Sequence, residues 1–191
     1  MVFTYEAAPD AVALRQGELL LDLTEHRAFG LNDVGRLEYL IVSHAAVVIV
    51  SQDCDLEQDY ALRFPPEQER PATEEIEAHV NSLPQVLLCE AYGEGELRAR
   101  VASFGTKDWR RVVQNQNERY HCLPTGPVAV AVEDVVESIY IDFRKHFTVP
   151  TGFLYDRISV GGVTRRAVVP PFYSHQLMQR FYGYQARIAI P

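Results

Sequence analysis

A thiol lies between two carboxylates in the segment 51–55, which contains Asp53, Cys54 and Asp55. The segment directly follows an apolar run, where a predicted strand gives way to a loop. The two carboxylates share a face and could bind a cation or act as acid and base, with Cys54 as nucleophile or soft ligand. Flanking anions raise the pKa of a thiol and weaken it as a nucleophile. The alternative is structural: the acids cap a turn and Cys54 packs as a small apolar residue.

An arginine- and amide-rich stretch, residues 109–121, is the best candidate for a nucleic-acid surface. Its guanidinium groups suit phosphate, its amides suit base edges and its aromatic rings suit stacking, as recognition of single-stranded nucleic acid requires. The alternative is a solvent-exposed polar loop that Trp109 anchors to the core. Together with nearby arginines, the residues predicted to bind nucleic acid are Arg98, Arg100, Arg110, Arg111, Asn115, Asn117, Arg119 and Arg144.

A second polar cluster closes a predicted strand at residues 142–147. Strand alternation places Asp142, Arg144 and His146 on one face. Such a face could bind a phosphate or carry out acid–base chemistry, because an unperturbed histidine titrates near neutral pH. The alternative is a surface ion pair that contributes little to stability.

A zinc site is not predicted, because the sulfur and nitrogen ligands are wrongly spaced. Cys54, Cys89, His121 and Cys122 contain no C-x-x-C pair, and adjacent residues of an extended strand point to opposite faces. We therefore predict neither a metal site nor a cofactor. Three cysteines at wide spacing also do not form the disulfide framework of a small secreted domain.

The elements that must position these groups are mostly short strands rich in Val, Ile, Leu and Tyr. Leu177, Phe181, Tyr184 and Ile188 recur at helical spacing and predict a C-terminal helix. Residues 64–84 are predicted to be a helical insertion: a short amphipathic helix in which Ile76, Val80 and Leu83 form the apolar stripe and the outer face is acidic. The predicted strands are Glu18–Leu23, Tyr39–Val42, Ala46–Ser51, Val86–Ala91, Leu97–Ser103, Val128–Val132 and Ser138–Phe143. Many short strands with few helices indicate a small barrel or sandwich.

The composition is typical of a folded protein without a membrane span. The 191 residues are 47% hydrophobic and 23% charged, as in an ordinary folded chain, and we predict a single domain over residues 1–191. The longest apolar run, residues 45–50, is far shorter than the roughly 20 residues of a membrane span. Without an apolar leader at residues 1–6, we predict a cytoplasmic protein that does not bind membranes.

The two halves of the chain differ in charge. Residues 1–97 hold 19 acidic and 5 basic residues, whereas residues 98–191 hold 7 acidic and 13 basic ones. Only the second half therefore has the charge to bind a polyanion.

Residues 17–23 and 45–51 together resemble the first two strands of the MazF/PemK toxins. The first segment has a glycine, an acid, three apolar residues, an aspartate and an apolar residue, and the second is an apolar run that ends in Ser51. The resemblance implies a mainly β, α+β chain: a small SH3-like, MazF-like barrel with the helical insertion and a closing C-terminal helix. It also implies an RNA-directed bacterial protein of the toxin–antitoxin or phage-defence kind that forms a homodimer.

The catalytic residues of that family are missing at the matching positions. The family's catalytic arginine falls at Ala45, and its threonine or serine falls near Tyr92 and Gly93. His44, one position earlier, could substitute for the arginine, but adjacent residues of a strand point to opposite faces. In-line cleavage of RNA needs a base and a cation, and neither stands at these positions.

We therefore expect a diverged relative that binds RNA through residues 98–121 and Arg144. If it cleaves RNA as an endoribonuclease, the predicted catalytic groups are Asp53, Asp55, His121 and His146. Two alternatives stay open. One is a non-catalytic protein-interaction module that docks a protein partner encoded nearby, which an exposed apolar patch at Phe172, Tyr173, Tyr182 and Tyr184 would favour. The other is a metal-dependent hydrolase centred on residues 53–55.

Overall fold

The chain folds into an α+β structure in which helices pack on both faces of one large sheet. A computed structural model describes residues 3–8, 12–66, 71–129 and 131–188, with the backbone alone at residues 131, 132 and 188. The strands are β1 (Glu18–Leu31), β2 (Leu37–Ile49), β3 (Gln85–Gly93), β4 (Tyr120–Leu123), β5 (Gly126–Val128), β6 (Ala131–Val136), β7 (Ile139–Pro150) and β8 (Thr164–Val168). The helices are α1 (Asp53–Arg63), α2 (Thr73–Glu77), α3 (Glu94–Arg100), α4 (Thr106–Val113), α5 (Thr151–Ser159) and α6 (Pro171–Ile188).

Six strands form an antiparallel sheet in the order β4-β7-β3-β2-β1-β8, and β5 pairs with β6. The six-stranded sheet is open, since β4 and β8 are its two edges. The prediction of a mainly β chain with added helices agrees with this architecture. The described strands do not close into a barrel.

The two faces of the sheet bury separate apolar clusters because successive strand residues point to opposite sides. Leu19 pairs with Val48 on one face, which α6 covers with Leu177 and Phe181. Leu20 pairs with Val47 on the other face, which α1 and α5 cover. Central strands buried on both faces explain the nearly continuous apolar runs that the sequence presents.

Two predicted strands are wrong. Residues 97–103 form the end of α3 and a turn, because the pairs Glu94–Arg98 and Glu96–Arg100 stabilise a helix at i,i+4 spacing. The predicted strand Val128–Val132 covers a hairpin turn instead: β5 ends at Val128 and β6 begins at Ala131, and residue 130 lies outside the described residues.

The helix predicted in the insertion is shorter than its apolar stripe. It ends at Glu77, so Ile76 is buried whereas Val80 is 91% exposed. The C-terminal stripe is confirmed at Leu177, Phe181 and Tyr184, which pack on the core. The side chain of Ile188 lies outside the described residues.

Strands β1 and β2 extend well beyond the sheet as a two-stranded arm, residues 26–41. β8 pairs with β1 only at Glu18–Leu21, and β3 pairs with β2 only at Ala46–Ile49. The arm is therefore held by pairs between its own two strands, from His26 with Ile41 to Leu31 with Leu37. Within the described residues, no helix is both long and apolar enough to cross a membrane.

Candidate nucleic-acid interface

A cavity of about 500 Å³ lies between α3, the loop after it, β4 and β7. We call it the groove. Three aromatic rings and three cations line it: Tyr92, Phe104, Tyr120, Arg100, Arg119 and Lys145. The elements come from distant parts of the chain, and the sheet order β4-β7-β3 places their ends side by side.

Cations and rings are stacked along the groove. The Arg100 guanidinium lies 4.4 Å from the centre of the Tyr92 ring, and the Arg119 guanidinium lies 4.9 Å from the centre of the Tyr120 ring. Phe104 meets Tyr120 edge to face at 6.2 Å. This alternation offers both phosphate-binding groups and flat apolar surfaces for bases.

Arg119 is held in place by a buried carboxylate. Its Nε and one terminal nitrogen donate to the two carboxylate oxygens of Asp142 at 2.7 and 2.5 Å. Asp142 is 2% exposed and also accepts a hydrogen bond from the backbone N–H of Arg144. The two parallel bonds fix the plane of the guanidinium, which keeps about a third of its side chain exposed to the groove.

The loop between α4 and β4 positions Arg119 through its own amide side chains. Asn115 exchanges two hydrogen bonds with the backbone of Cys122, at 2.9 and 2.6 Å. The Asn117 side-chain oxygen accepts from the backbone N–H groups of Arg119 and Tyr120. Both amides, which we predicted to contact bases, are thus engaged in shaping the loop.

The other predicted nucleic-acid residues do not line the groove. Arg98 stacks on Trp109 at 3.9 Å, beside a smaller cavity that shares Val101 and Phe104 with the groove. Arg110, Arg111 and Arg144 are exposed on α4 and β7, and none of these three lines the groove. Of the predicted set, the structure brings together Arg100, Asn117 and Arg119.

The four predicted catalytic residues are all among the described residues, and none of them lines the groove. The Asp53 carboxylate at the start of α1 accepts a hydrogen bond from the backbone N–H of Gln16 at 2.6 Å, 37 residues away rather than within a local turn, and Cys54 is exposed rather than packed as a small apolar residue. Asp55 is exposed in the same turn, 3.6 Å from the Cys54 sulfur. Asp53 and Cys54 line a separate cavity of about 390 Å³ with His175.

The two predicted catalytic histidines differ in their surroundings. His121 is 3% exposed in β4, and burial, together with the nearby charge of Arg180, lowers its pKa to about 3. It is therefore neutral at physiological pH and shielded from a substrate. His146 is exposed on β7, where its Nδ1 lies 3.0 Å from the carbonyl oxygen of Phe143 and 3.2 Å from the amide nitrogen of Gln185.

A buried histidine between two carboxylates forms the wall next to the groove, and sequence analysis missed it. His44 Nε2 lies 3.2 Å from a Glu25 carboxylate oxygen, and its Nδ1 lies 3.1 Å from a Glu90 carboxylate oxygen. The ring stacks on Phe147 at 4.3 Å. The Tyr92 hydroxyl donates to the other oxygen of Glu90. We call Glu25, His44, Glu90 and Tyr92 the buried relay.

Charge stabilises this relay. Burial lowers the pKa of His44, but the hydrogen bonds and charges of Glu90 and Glu25 outweigh burial and raise it above its ordinary value. The hydrogen bond from His44 lowers the pKa of Glu90 to about 2. Burial, with the hydrogen bond to Glu90, raises the pKa of Tyr92. A small cavity of about 120 Å³ continues the groove past Tyr92 and Arg100 to this relay.

Metal-binding groups are not clustered in the part of the chain that the structure describes. No three His, Cys, Asp or Glu side chains there are grouped to hold an ion, and all three cysteines are free thiols.

In the aromatic patch expected on α6, Phe172 and Tyr182 are exposed, whereas Tyr173 and Tyr184 pack on the core.

Comparisons with protein-family models, with curated proteins and with solved structures found no match to this chain. Inference about its function therefore rests on the groove and its surroundings.

Proposed function

We propose that the chain binds single-stranded RNA in the groove. The observation that carries this proposal is the meeting of three cations with three aromatic rings around a cavity of about 500 Å³. Single-stranded nucleic acid is bound by such combinations, in which rings stack on bases and cations follow the backbone. The resemblance to RNA-cutting toxins favours RNA over DNA.

The groove is of the right size for one or two nucleotides, since small-molecule sites measure about 300–1,000 Å³. Tyr92 and Tyr120 offer ring faces, and Arg100, Arg119 and Lys145 surround them with donors. In this proposal the exposed nitrogens of Arg119, already oriented by Asp142, contact a phosphate. A base then stacks against the aromatic wall.

Binding rather than cleavage is the activity that these residues support. The acidic groups near the groove are committed to protein partners: Glu90 to His44 and Tyr92, and Asp142 to Arg119. The His44 side chain is 2% exposed, and both of its ring nitrogens lie within 3.2 Å of carboxylate oxygens, so it is engaged with protein partners.

The finer fold assignment, a MazF/PemK-like chain with an SH3-like barrel, is also a proposal. Its support is that residues 17–23 and 45–51, which carry the resemblance, lie largely on the neighbouring strands β1 and β2, and that helix α6 follows the last strand.

Fluorescence anisotropy with a labelled single-stranded RNA of about ten nucleotides tests the proposal. Three phosphate contacts predict a salt slope near −2, so affinity should fall roughly 20-fold between 50 and 200 mM salt. The double variant Arg100→Gln/Lys145→Gln should weaken binding at least 10-fold, because both residues line the groove. The same RNA run on a gel after incubation tests cleavage.

Arg110→Gln/Arg111→Gln is the matched control, since it removes the same number of cations from exposed positions on α4 outside the groove. It should change the dissociation constant less than two-fold. Failure of the protein to bind RNA at 50 mM salt would refute the proposal. A loss that appears in the α4 variant and not in the groove variant would move the interface to the surface of α4.

A further inference from the structure

A second cavity, of about 200 Å³, adjoins the groove. We call it the α6 cavity, because residues of that helix form one of its walls. Its other wall is the loop between α4 and β4. Asn117 lines both cavities, whereas Glu118 lines the α6 cavity and Arg119 lines the groove. A stretch of three consecutive residues therefore forms the boundary between the two cavities.

The α6 cavity contains the same kinds of group as the groove. Tyr184 supplies a half-buried aromatic ring, and Arg187 supplies a cation whose side chain is 60% exposed. Two arginines, Arg180 and Arg187, and one acid, Glu118, line this cavity, so its formal net charge is +1. The ion pair between Arg187 and Glu118 is exposed and contributes little to stability. A phosphate can therefore compete for Arg187.

Gly183 leaves the backbone of α6 open to this cavity. Glycine inside a helix is less favourable than alanine, so its presence there requires a reason. A Cβ atom at Gly183 would meet nothing within 4 Å beyond the adjacent backbone of its own helix, so packing within the chain is not that reason. Glycine is common where a ligand approaches the backbone closely. Since Gly183 lines the α6 cavity, the space above it is available to such a ligand.

The boundary between the two cavities is held from both sides. The backbone carbonyl of Asn117 accepts a hydrogen bond from Arg180 of α6 at 2.6 Å. The side-chain oxygen of Asn117 accepts one from the backbone N–H of Arg119 at 3.0 Å. Both cavities are therefore formed before a ligand binds, which lowers the entropic cost of binding.

We propose that the α6 cavity is a second nucleotide subsite, occupied by the same RNA strand that binds in the groove. This inference rests on the proposed function of the groove. The strand crosses Asn117, passes over the bare backbone at Gly183 and places a base against the exposed part of the Tyr184 ring. Arg187 contacts a phosphate. The bound length is then about three nucleotides, rather than the one or two that the groove holds.

The salt dependence of RNA binding separates one subsite from two. The three cations of the groove predict a slope near −2, and a fourth phosphate contact at Arg187 steepens it to nearly −3. Arg187→Gln should return the slope to near −2. A wild-type slope near −2 that does not change in Arg187→Gln would refute the contact at Arg187.

Gly183→Leu tests the space over the helix, because a side chain at this position enters the α6 cavity. Anisotropy at 50 mM salt with the labelled ten-nucleotide RNA should show at least five-fold weaker binding, the low end of what one stacked base contributes. Leucine favours helices, so this variant should melt no lower than the wild type. Ala186→Leu is the matched control, since Ala186 is exposed on the same helix and does not line the cavity. It should bind within two-fold of the wild type.

A combined variant distinguishes a separate subsite from an indirect effect on the groove. Gly183→Leu added to Arg100→Gln/Lys145→Gln should multiply the two losses, because contacts in separate cavities act independently. A combined variant that binds as well as the groove variant would refute the second subsite. Wild-type affinity in Gly183→Leu would refute it as well and leave the groove as the RNA site. If the wild-type chain binds no RNA at 50 mM salt, the proposed function itself fails.

Discussion

Arg180 fixes the loop that presents Arg119 to the groove, and its removal is the sharpest test of how the site is built. From α6 its guanidinium donates to the backbone carbonyls of Asn115, of Asn117 at 2.6 Å and of Tyr120 at 3.0 Å. Burial lowers the pKa of Arg180. The bonds to these three carbonyls hold the last helix against the loop between α4 and β4 and against the first residue of β4.

Arg180→Met keeps the apolar stem and removes all of these bonds. A hydrogen bond to a charged group contributes about 1.5–3 kcal/mol, so the gross loss is roughly 4–9 kcal/mol. Two effects offset part of it: the variant no longer buries a charge, which costs several kcal/mol, and the freed carbonyls of Asn115 and Asn117 belong to half-buried loop residues, whereas Tyr120 is buried at the start of β4. We expect the free energy of unfolding to fall by about 2–4 kcal/mol.

Urea unfolding followed by circular dichroism measures this loss. Arg187→Met is the matched control, since Arg187 is on the same helix but forms an exposed ion pair with Glu118. Exposed pairs contribute at most about 1 kcal/mol, so the control should stay close to the wild type.

A local readout separates positioning from general stability. Amides of residues 115–120 should exchange faster in Arg180→Met, and RNA affinity should drop about 10-fold at a temperature where the variant is folded. A variant within 1 kcal/mol of the wild type with unchanged exchange in this loop would refute the role assigned to Arg180.

Two further predictions concern the titratable groups. Because the pKa of His44 is raised in the folded state, its contribution to stability is complete below the ordinary value of 6.5 and is lost as pH rises through the folded-state pKa. Urea unfolding at a series of pH values from 6 to 9 should show this decline in the wild type and not in His44→Gln, and parallel curves for the two proteins would contradict it. Cys54 is exposed, whereas burial raises the pKa of Cys89 and Cys122. Ellman's reagent should titrate one thiol in the native chain, three in denaturant and none in native Cys54→Ser; rapid reaction of a second native thiol would count against the described core.

Apolar runs predicted the strands of the core well, because β1, β2, β3 and β7 bury side chains on both faces. The same signal failed at residues 97–103, where Leu97 and Val101 occur at a spacing that suits either a strand or a helix. The pairs Glu94–Arg98 and Glu96–Arg100 were visible in the sequence and favoured the helix. Local charge spacing therefore carried information that hydrophobicity alone did not.

The candidate site was predictable only in part. Charge and composition pointed to Arg100 and Arg119, which do line the groove. Their partners Tyr92 and Asp142 come from β3 and β7, and only the register of the sheet brings them close. The buried relay could not be predicted for the same reason, because Glu25, His44 and Glu90 lie on three neighbouring strands.

The buried relay also connects the base of the arm to the wall of the groove. A substitution meant to test only one of these two surfaces must therefore avoid the residues of the relay. Glu25 and His44 lie where β1 and β2 leave the sheet, and Tyr92 at the other end lines the groove. A substitution of Glu25, or of Arg27 that pairs with it, would disturb both surfaces at once. Tyr39 and Ile41 lie farther along the arm and outside the relay, so Tyr39→Asp/Ile41→Asp should leave RNA affinity within about two-fold of the wild type. Loss of RNA binding in that same variant would mean that the arm is itself part of the RNA-binding surface.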